Sequence, residues 1–294
     1  MPPRATDARR AAVLGSPIAH SLSPVLHRAA YAELGLADWS YDRFDVDEAG
    51  LPGFLKELGP EWAGLSLTMP LKREALALAD RLTDRARLAG AVNTVVLEDG
   101  ERIGDNTDLP GAAAAIRERT TMPLASAAIL GGGATATSIG LALVDLGVRS
   151  IELRVRNASR AEETVAALRD HPAGVEVTVE PLPVEPLTGQ WSAGPDLAAS
   201  GSTIDIVVST IPASAQTIDL VAGCAGIPVV FEALYDPWPT PLAAAALASG
   251  RVLVHGLDLL IHQAALQFEL FTGVDAPLAA MLSLIHISEP TRPY

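Results

Sequence analysis

The stretch SAAILGGGATATSIG, residues 126–140, leaves a chain few ways to fold. Ser126–Leu130 reads as a buried strand, three glycines follow at once, and Thr137–Leu146 reads as a helix. Gly131-x-Gly133-x-x-Ala136 then sits at a strand-to-helix turn. In that context the first glycine makes the tight turn and the second lets backbone approach a pyrophosphate. The small third residue lets helix pack on strand. The anion would rest on unpaired N–H groups at the helix N-terminus, where the dipole favours it. A glycine-rich turn that holds nothing has the same local shape, so the next strand matters. IELRV (151–155) ends in Arg156, with Arg160 four residues on, and not in an acidic residue. A carboxylate there would take the 2′-hydroxyl of NAD, whereas two arginines suit the 2′-phosphate of NADP. Two exposed surface arginines are the plain alternative.

Strand-like and helix-like pieces alternate on both sides of this turn. Before it come strands at AAVLG (11–15), YDRFDV (41–46), GLSLT (64–68) and AVNTVV (91–96). Helices are expected over Val25–Leu34, around Glu48–Leu58 and over 70–82, the last begun by Pro70. Asp99-Gly100 marks a hairpin leading to ERIG. After it come helix 160–169, the strands VEVTV, DIVVST, PVVFEA and RVLVHG, and an amphipathic helix DLLIHQAALQFELF (258–271). This rhythm implies an α/β fold, and 294 residues suit two domains. The expected division is an N-terminal α/β substrate domain (1–108, completed by a C-terminal helix over 258–281) and a Rossmann-type doubly wound NADP-binding domain (109–257). Residues 283–294 neither continue that helix nor form a turn-and-strand unit. They read as a non-native tail, translated sequencing-adapter read-through, and as a loose end.

A net charge of −14, from 21 basic and 35 acidic residues, argues against nucleic acid or an anionic membrane as partner. The single cysteine, Cys224, excludes an internal disulfide framework and suits a reducing cytoplasm. Ala11–Leu14 is too short for a signal core, and the uncharged run 120–144 is broken by Gly131–Gly133, so no membrane span is expected. No His, Cys or carboxylate cluster has metal-ligand spacing.

Three further places carry chemistry. In LGSPIAHSLSP (14–24), Ser21 and Ser23 stand two apart, on one face of an extended segment, with Ser23 and Pro24 suited to N-cap and first helical position. Capping accounts for Ser23 but leaves Ser21 for a polyhydroxylated ligand. Lys72 lies about three residues into the helix expected from Pro70. There a cation opposes the helix dipole, and the same field makes it a better proton donor near neutral pH; a solvated side chain is the alternative. Asp108 precedes a helix that Pro110 could start, as a cap or as a partner for Lys72.

Together these motifs resemble the shikimate dehydrogenase family from Ala11 to about Met281. The resemblance implies that Ser21 and Ser23 in SLSP, Thr68 and Lys72 in SLTMPLK, Asn93 in GAVNT, Asp108 in DNTD, Tyr235 in EALYDPWPTPL and Gln263 in the closing helix bind substrate. It makes Lys72 the catalytic lysine and Asp108 its partner. It assigns NADP(H) to Gly131, Gly132, Gly133, Ala134, Thr135, Arg156, Asn157, Arg160, Thr210, Ala233 and Gly256, the last near the nicotinamide. Val155 stands where the family's phosphate motif has Asn, and Ser66 where many members have Asn. The implied reaction is reversible NADPH-dependent reduction of 3-dehydroshikimate to shikimate, in aromatic amino-acid biosynthesis, by a cytoplasmic monomer or homodimer. A quinate or aminoshikimate dehydrogenase and a catalytically silent NADP-binding sensor are the alternatives.

Overall fold

A computed structural model describes residues 8–182 and 204–288, the last five of these by backbone alone. The chain divides into two compact units: residues up to Thr107 with those from Leu260 onward, and Asp108–Leu259.

The first unit holds β1 (Arg9–Gly15), β2 (Trp39–Asp45), β3 (Trp62–Leu67), β4 (Arg81–Leu82), β5 (Thr94–Glu98) and β6 (Glu101–Asp105) in one sheet of order β2-β1-β3-β5-β6-β4. β1 runs parallel to β2 and β3, while β5 is antiparallel to both β3 and β6. The β5–β6 hairpin turns through Asp99 and Gly100, both in the left-handed region (φ 52° and 81°). Alternate residues of β1 serve opposite faces of the sheet. Ala11 and Val13 join Leu26, Tyr31 and Phe268 in one core, whereas Ala12 and Leu14 join Leu51, Leu65 and Leu71 in another. Apolar residues on both faces thus bury the strand from Ala11 to Gly15. Up to Thr107 the helices of this unit are α1 (Ser23–Glu33), α2 (Leu51–Lys56) and α3 (Asp84–Ala89).

The second unit holds β7 (Ser126–Leu130), β8 (Ser150–Val155), β9 (Glu176–Pro181), β10 (Ile206–Ser209), β11 (Val229–Glu232) and β12 (Val252–His255), all parallel. Their order, β9-β8-β7-β10-β11-β12, reverses direction between β7 and β10. That is the doubly wound dinucleotide-binding order, whose ligand site lies at the carboxyl ends of the strands beside the reversal. Its helices are α4 (Asp108–Arg119), α5 (Ala134–Asp145), α6 (Glu162–Arg169), α7 (Ile218–Gly223) and α8 (Pro241–Ala248). The uncharged run 120–144 resolves into β7, the glycine turn and most of α5. No helix among the described residues is long and apolar enough to cross a membrane. The division between the units falls within α9 (Gly256–Thr272), and α10 (Leu278–Ser288) follows it.

Three expectations need correction. The helix over 70–82 is absent: turns over 69–73 lead to one 3-10 turn, Glu74–Ala77, and then β4. The Lys72 carbonyl accepts from Val92 N (2.7 Å), so it is not left for the amide of Leu76, which goes to Arg73 instead (3.1 Å). Ser23 is not an N-cap but the first residue of α1, whose cap residue Leu22 offers no side-chain bond. Residues 283–288 continue α10, a second C-terminal helix held by Met281, which is fully buried in the core with Leu26 and Phe268. The expected tail over 289–294 lies outside the described residues.

Candidate active site

The loop after β1 and the turn after β3 leave adjacent parallel strands at their carboxyl ends, and backbone bonds stitch them together. Thr68 N donates to Leu14 O (2.9 Å), Ser16 N to Met69 O (3.0 Å) and Leu71 N to Thr68 O (2.8 Å). A Cβ on Gly15 would lie 2.4 Å from the Thr68 methyl, so glycine there lets the two segments close up. Asn93 joins them through its own backbone, since Leu67 N donates to Asn93 O (2.7 Å). Thr68 and Lys72 are half-buried, while Ser21, Ser23, Asn93 and Gln263 are buried. The two serines do not lie on one extended strand. Ser21 Oγ instead accepts from the Ser23 amide at the start of α1 (3.4 Å).

Asn93 is the centre of a buried polar cluster. Its Oδ1 accepts from Thr107 N (2.7 Å) and Thr94 Oγ1 (2.8 Å), and its Nδ2 donates to Thr107 Oγ1 (2.9 Å). Gln263 Oε1 stands 3.4 Å from the same Nδ2, and Gln263 Nε2 donates to Leu260 O (2.8 Å). Gln267, one helical turn further along α9, donates to Asn93 O (3.1 Å) and Thr94 Oγ1 (2.9 Å). Its Oε1 accepts from Ser66 Oγ (2.7 Å), which accepts from Tyr41 OH (2.6 Å). Burial pushes the Tyr41 phenol above its ordinary range, against the Ser66 and Ser23 hydroxyls beside it. Thr94, Thr107, Gln267 and Tyr41 are not legible as site residues in the sequence. Only Gln267 leaves a trace, the i, i+4 spacing from Gln263 that puts both on one helical face.

The turn toward Asp108 is braced from α3. Asp105 accepts from Thr83 Oγ1 and from the Arg85 guanidinium (2.6 Å each) and from Asn106 N (2.7 Å). Burial pulls its carboxyl upward, but these donors leave it below its usual range. Asp108 itself is buried as the first residue of α4, in the second unit.

In the second unit the glycine turn has the shape a dinucleotide needs. Gly131 has φ +112°, and a Cβ there would lie 2.2 Å from Thr210 Oγ1; a Cβ on Gly132 would lie 2.8 Å from that of Ala161. Gly133 meets nothing within 4 Å, so the turn is closed on the protein side and open where it meets solvent. As the N-cap of α5, Gly133 brings no side-chain bond, and no acidic residue occupies the first turn. The helix end therefore suits an anion. Thr164 Oγ1 donates to Gly132 O (2.9 Å) and Thr137 Oγ1 to Gly133 O (3.2 Å), fixing the turn from beneath. Ala134 and Thr135 begin α5, while Arg156, Asn157 and Arg160 are exposed just past β8, and Asn157 accepts from Ser159 N (3.0 Å). At the far side of this sheet, a Cβ on Gly256 would lie 2.4 Å from Ala233 O. Asp258 takes His255 N (2.9 Å) and the Arg119 fork (2.8 and 2.5 Å), fixing that corner. Tyr235 is half-buried on the segment after β11.

A family model of the shikimate dehydrogenase substrate-binding domain matches residues 13–95, and one of the shikimate 5'-dehydrogenase C-terminal domain matches 256–285. The chain is 38% identical to a shikimate dehydrogenase (NADP(+)) of Methylobacterium radiotolerans, over 90% of its own length and 91% of the relative's. Its structure is similar to that of Mycobacterium tuberculosis shikimate dehydrogenase, with a TM-score of 0.82 and 40% identity across 95% of this chain and 99% of that one. It is also similar to a quinate dehydrogenase of Corynebacterium glutamicum in complex with NAD, with a TM-score of 0.80 and 25% identity across 96% and 99%.

Proposed function

This chain belongs to the shikimate dehydrogenase family, and from that premise we propose that it catalyses the reversible NADPH-dependent reduction of 3-dehydroshikimate to shikimate. One observation supports the substrate reading above others: Asn93 and Gln263, 170 residues apart in sequence, meet in one buried polar cluster. A small ring acid bearing several hydroxyls calls for many short-range donors and acceptors and little charge. Ser21, Ser23, Thr68, Asn93, Asp108, Tyr235 and Gln263 supply that mixture. NADPH fits the second unit, where the Gly131–Gly133 turn and the N-terminus of α5 would hold the pyrophosphate, and Arg156, Asn157 and Arg160 the 2′-phosphate. Thr210, Ala233 and Gly256 complete that set. When bound it supplies a hydride to the ketone carbon.

The chain's own part is the proton. Lys72 gives one to the oxygen as it becomes an alkoxide and takes it back in the reverse direction. Asp108 orients that ammonium and hydrogen-bonds a substrate hydroxyl. The single cysteine, buried and pushed up to about 11 chiefly by burial, takes no part and suits a reducing cytoplasm.

The likeness to a quinate dehydrogenase keeps quinate as the rival substrate, and the assay includes it. Shikimate with NADP+ gives turnover well above quinate with either cofactor. Replacing Arg156 and Arg160 together by Ala raises KM for NADP+ by roughly tenfold or more, as loss of charge-assisted phosphate bonds implies, and leaves NAD+ use nearly unchanged. Quinate turnover above shikimate turnover would overturn the substrate assignment. Equal damage to both cofactors would overturn the 2′-phosphate assignment.

A further inference from the structure

The hydrogen bonds behind Asn93 can run in only one direction, because backbone atoms fix both ends. Asn93 O can only accept, so the group of Gln267 facing it at 3.1 Å is the amino group. Gln267 Oε1 then faces Ser66 Oγ, which must donate its one proton there (2.7 Å) and accept from Tyr41 OH (2.6 Å). The other Nε2 hydrogen of Gln267 goes to Thr94 Oγ1 (2.9 Å), and the Thr94 proton then has Asn93 Oδ1 (2.8 Å) as its nearer acceptor, with Thr107 Oγ1 at 3.3 Å. At the far end Thr107 N can only donate, and it donates to the same Oδ1 (2.7 Å). The Asn93 carbonyl is thus turned inward by two donors, and its amino group gives one hydrogen to Thr107 Oγ1 (2.9 Å) and turns the other toward Gln263 Oε1 (3.4 Å). Tyr41, Ser66, Thr94, Thr107 and Gln267 are all buried, so water does not compete for these bonds.

We propose that Thr94 and Gln267 are positioning residues for substrate recognition. Through the one-way chain Tyr41–Ser66–Gln267–Thr94 they hold Asn93 as a hydrogen-bond donor, so that it selects a ligand presenting an acceptor oxygen. The proposal rests on Asn93 being a substrate residue, and it deepens that reading. It also gives Ser66 a purpose: its hydroxyl is occupied by Tyr41 and Gln267, as a link in the chain.

The test is steady-state kinetics of the full chain with shikimate and NADP+. Asn93→Ala raises KM for shikimate. Thr94→Val keeps the shape of the side chain and removes the hydroxyl; it raises KM for shikimate by about three- to tenfold, one buried neutral hydrogen bond's worth, with KM for NADP+ unmoved. Thr94→Ser restores the hydroxyl and recovers most of that loss, which a purely packing role would not allow. The double variant Asn93→Ala/Thr94→Val has the KM of Asn93→Ala alone, because the two act on one contact. Gln267→Met is the second probe and shows the same selective rise, should Thr94→Val fold poorly. If Asn93→Ala leaves KM for shikimate at the wild-type value, the site reading falls and this inference with it. If Asn93→Ala raises KM but Thr94→Val and Gln267→Met do not, or if Thr94→Val adds its full effect on the Asn93→Ala background, the positioning role alone is overturned.

Discussion

At Lys72 the local reason for the reading fails, and the proposed role rests on other ground. Its expected place in the first turn of a helix does not exist, so no helix dipole acts on it. What holds it is backbone: its carbonyl is taken by Val92 N at 2.7 Å, and Leu71 beside it is fully buried. The main chain is therefore anchored while the side chain stays half-buried, which suits a group that must reach a substrate. Lys72→Ala is expected to lower kcat by roughly 10²–10⁴-fold, the usual share of a general acid–base, with the melting temperature close to wild type. A kcat within a few-fold of wild type would take the proton role away from Lys72. The short motifs around Ser21, Lys72, Asn93 and Asp108 are legible because each lies in a contiguous stretch. The supporting side chains are not: Thr94 and Gln267 are 173 residues apart, and neither stretch carries a sign of the other. Thr137 and Thr164 beneath the glycine turn escape notice for the same reason.

Among the elements, the buried parallel strands were legible to within one to three residues, as β7 and β8 illustrate, because such a strand is a short, largely apolar run. Short helices were not. α3 and α7 are held by the local caps Thr83 and Thr217, which accept from Ala86 N and Leu220 N, and their apolar periodicity is too brief to register. The expectation over 70–82 failed in the opposite sense. An alanine- and leucine-rich run has helical propensity, yet a tertiary bond from Val92 N claimed the Lys72 carbonyl. The corner between β12 and α9 carries a sharper constraint. A methyl on Gly256 would meet Ala233 O at 2.4 Å and the Ala233 and Leu234 carbonyl carbons within 2.9 Å, all backbone atoms. Asp258, gripped by Arg119 and by His255 N, keeps that corner from moving away. Gly256→Ala is therefore expected to destabilise by about 1–3 kcal/mol, the usual cost of overpacking, and to raise KM for NADP+ more than KM for shikimate. Thermal unfolding and the two KM values check this together; an unchanged melting temperature would mean that the corner yields freely.

For the molecule as a whole, the balance of buried titrating groups sets how it responds to acid. His27 points from α1 into the core, its ring stacked on Tyr41 of β2 at 4.0 Å and 11° and near Phe268 and Phe271 of α9. Neither ring nitrogen has a hydrogen-bond partner among the described residues. Burial drives its pKa down from 6.5 to about 3, with the Gln267 side chain offsetting only part of that. Between those values the unfolded chain binds a proton that the folded chain refuses, so stability rises with pH across the window and is lost as pH falls through it. Asp105 acts in the same sense at the lower end: its donors hold it below its ordinary range, so its contribution is present at neutral pH and disappears on acidification. Glu232 opposes them. Burial raises its carboxyl against the hydrogen bonds from Thr240 (2.7 Å), Leu234 N (3.1 Å) and Gln216 (2.7 Å), so the folded chain takes its proton more readily than the unfolded one. His27 and Glu232 therefore pull the pH dependence in opposite senses below pH 6.5, and removing the imidazole isolates its share. His27→Phe keeps a flat ring against Tyr41 and removes the titration. Its unfolding free energy should depend on pH less steeply, by up to one proton's worth, about 1.4 kcal/mol per pH unit, between pH 6 and pH 4. Identical slopes for the two proteins in that interval would mean that His27 is not the group that opens the fold to acid.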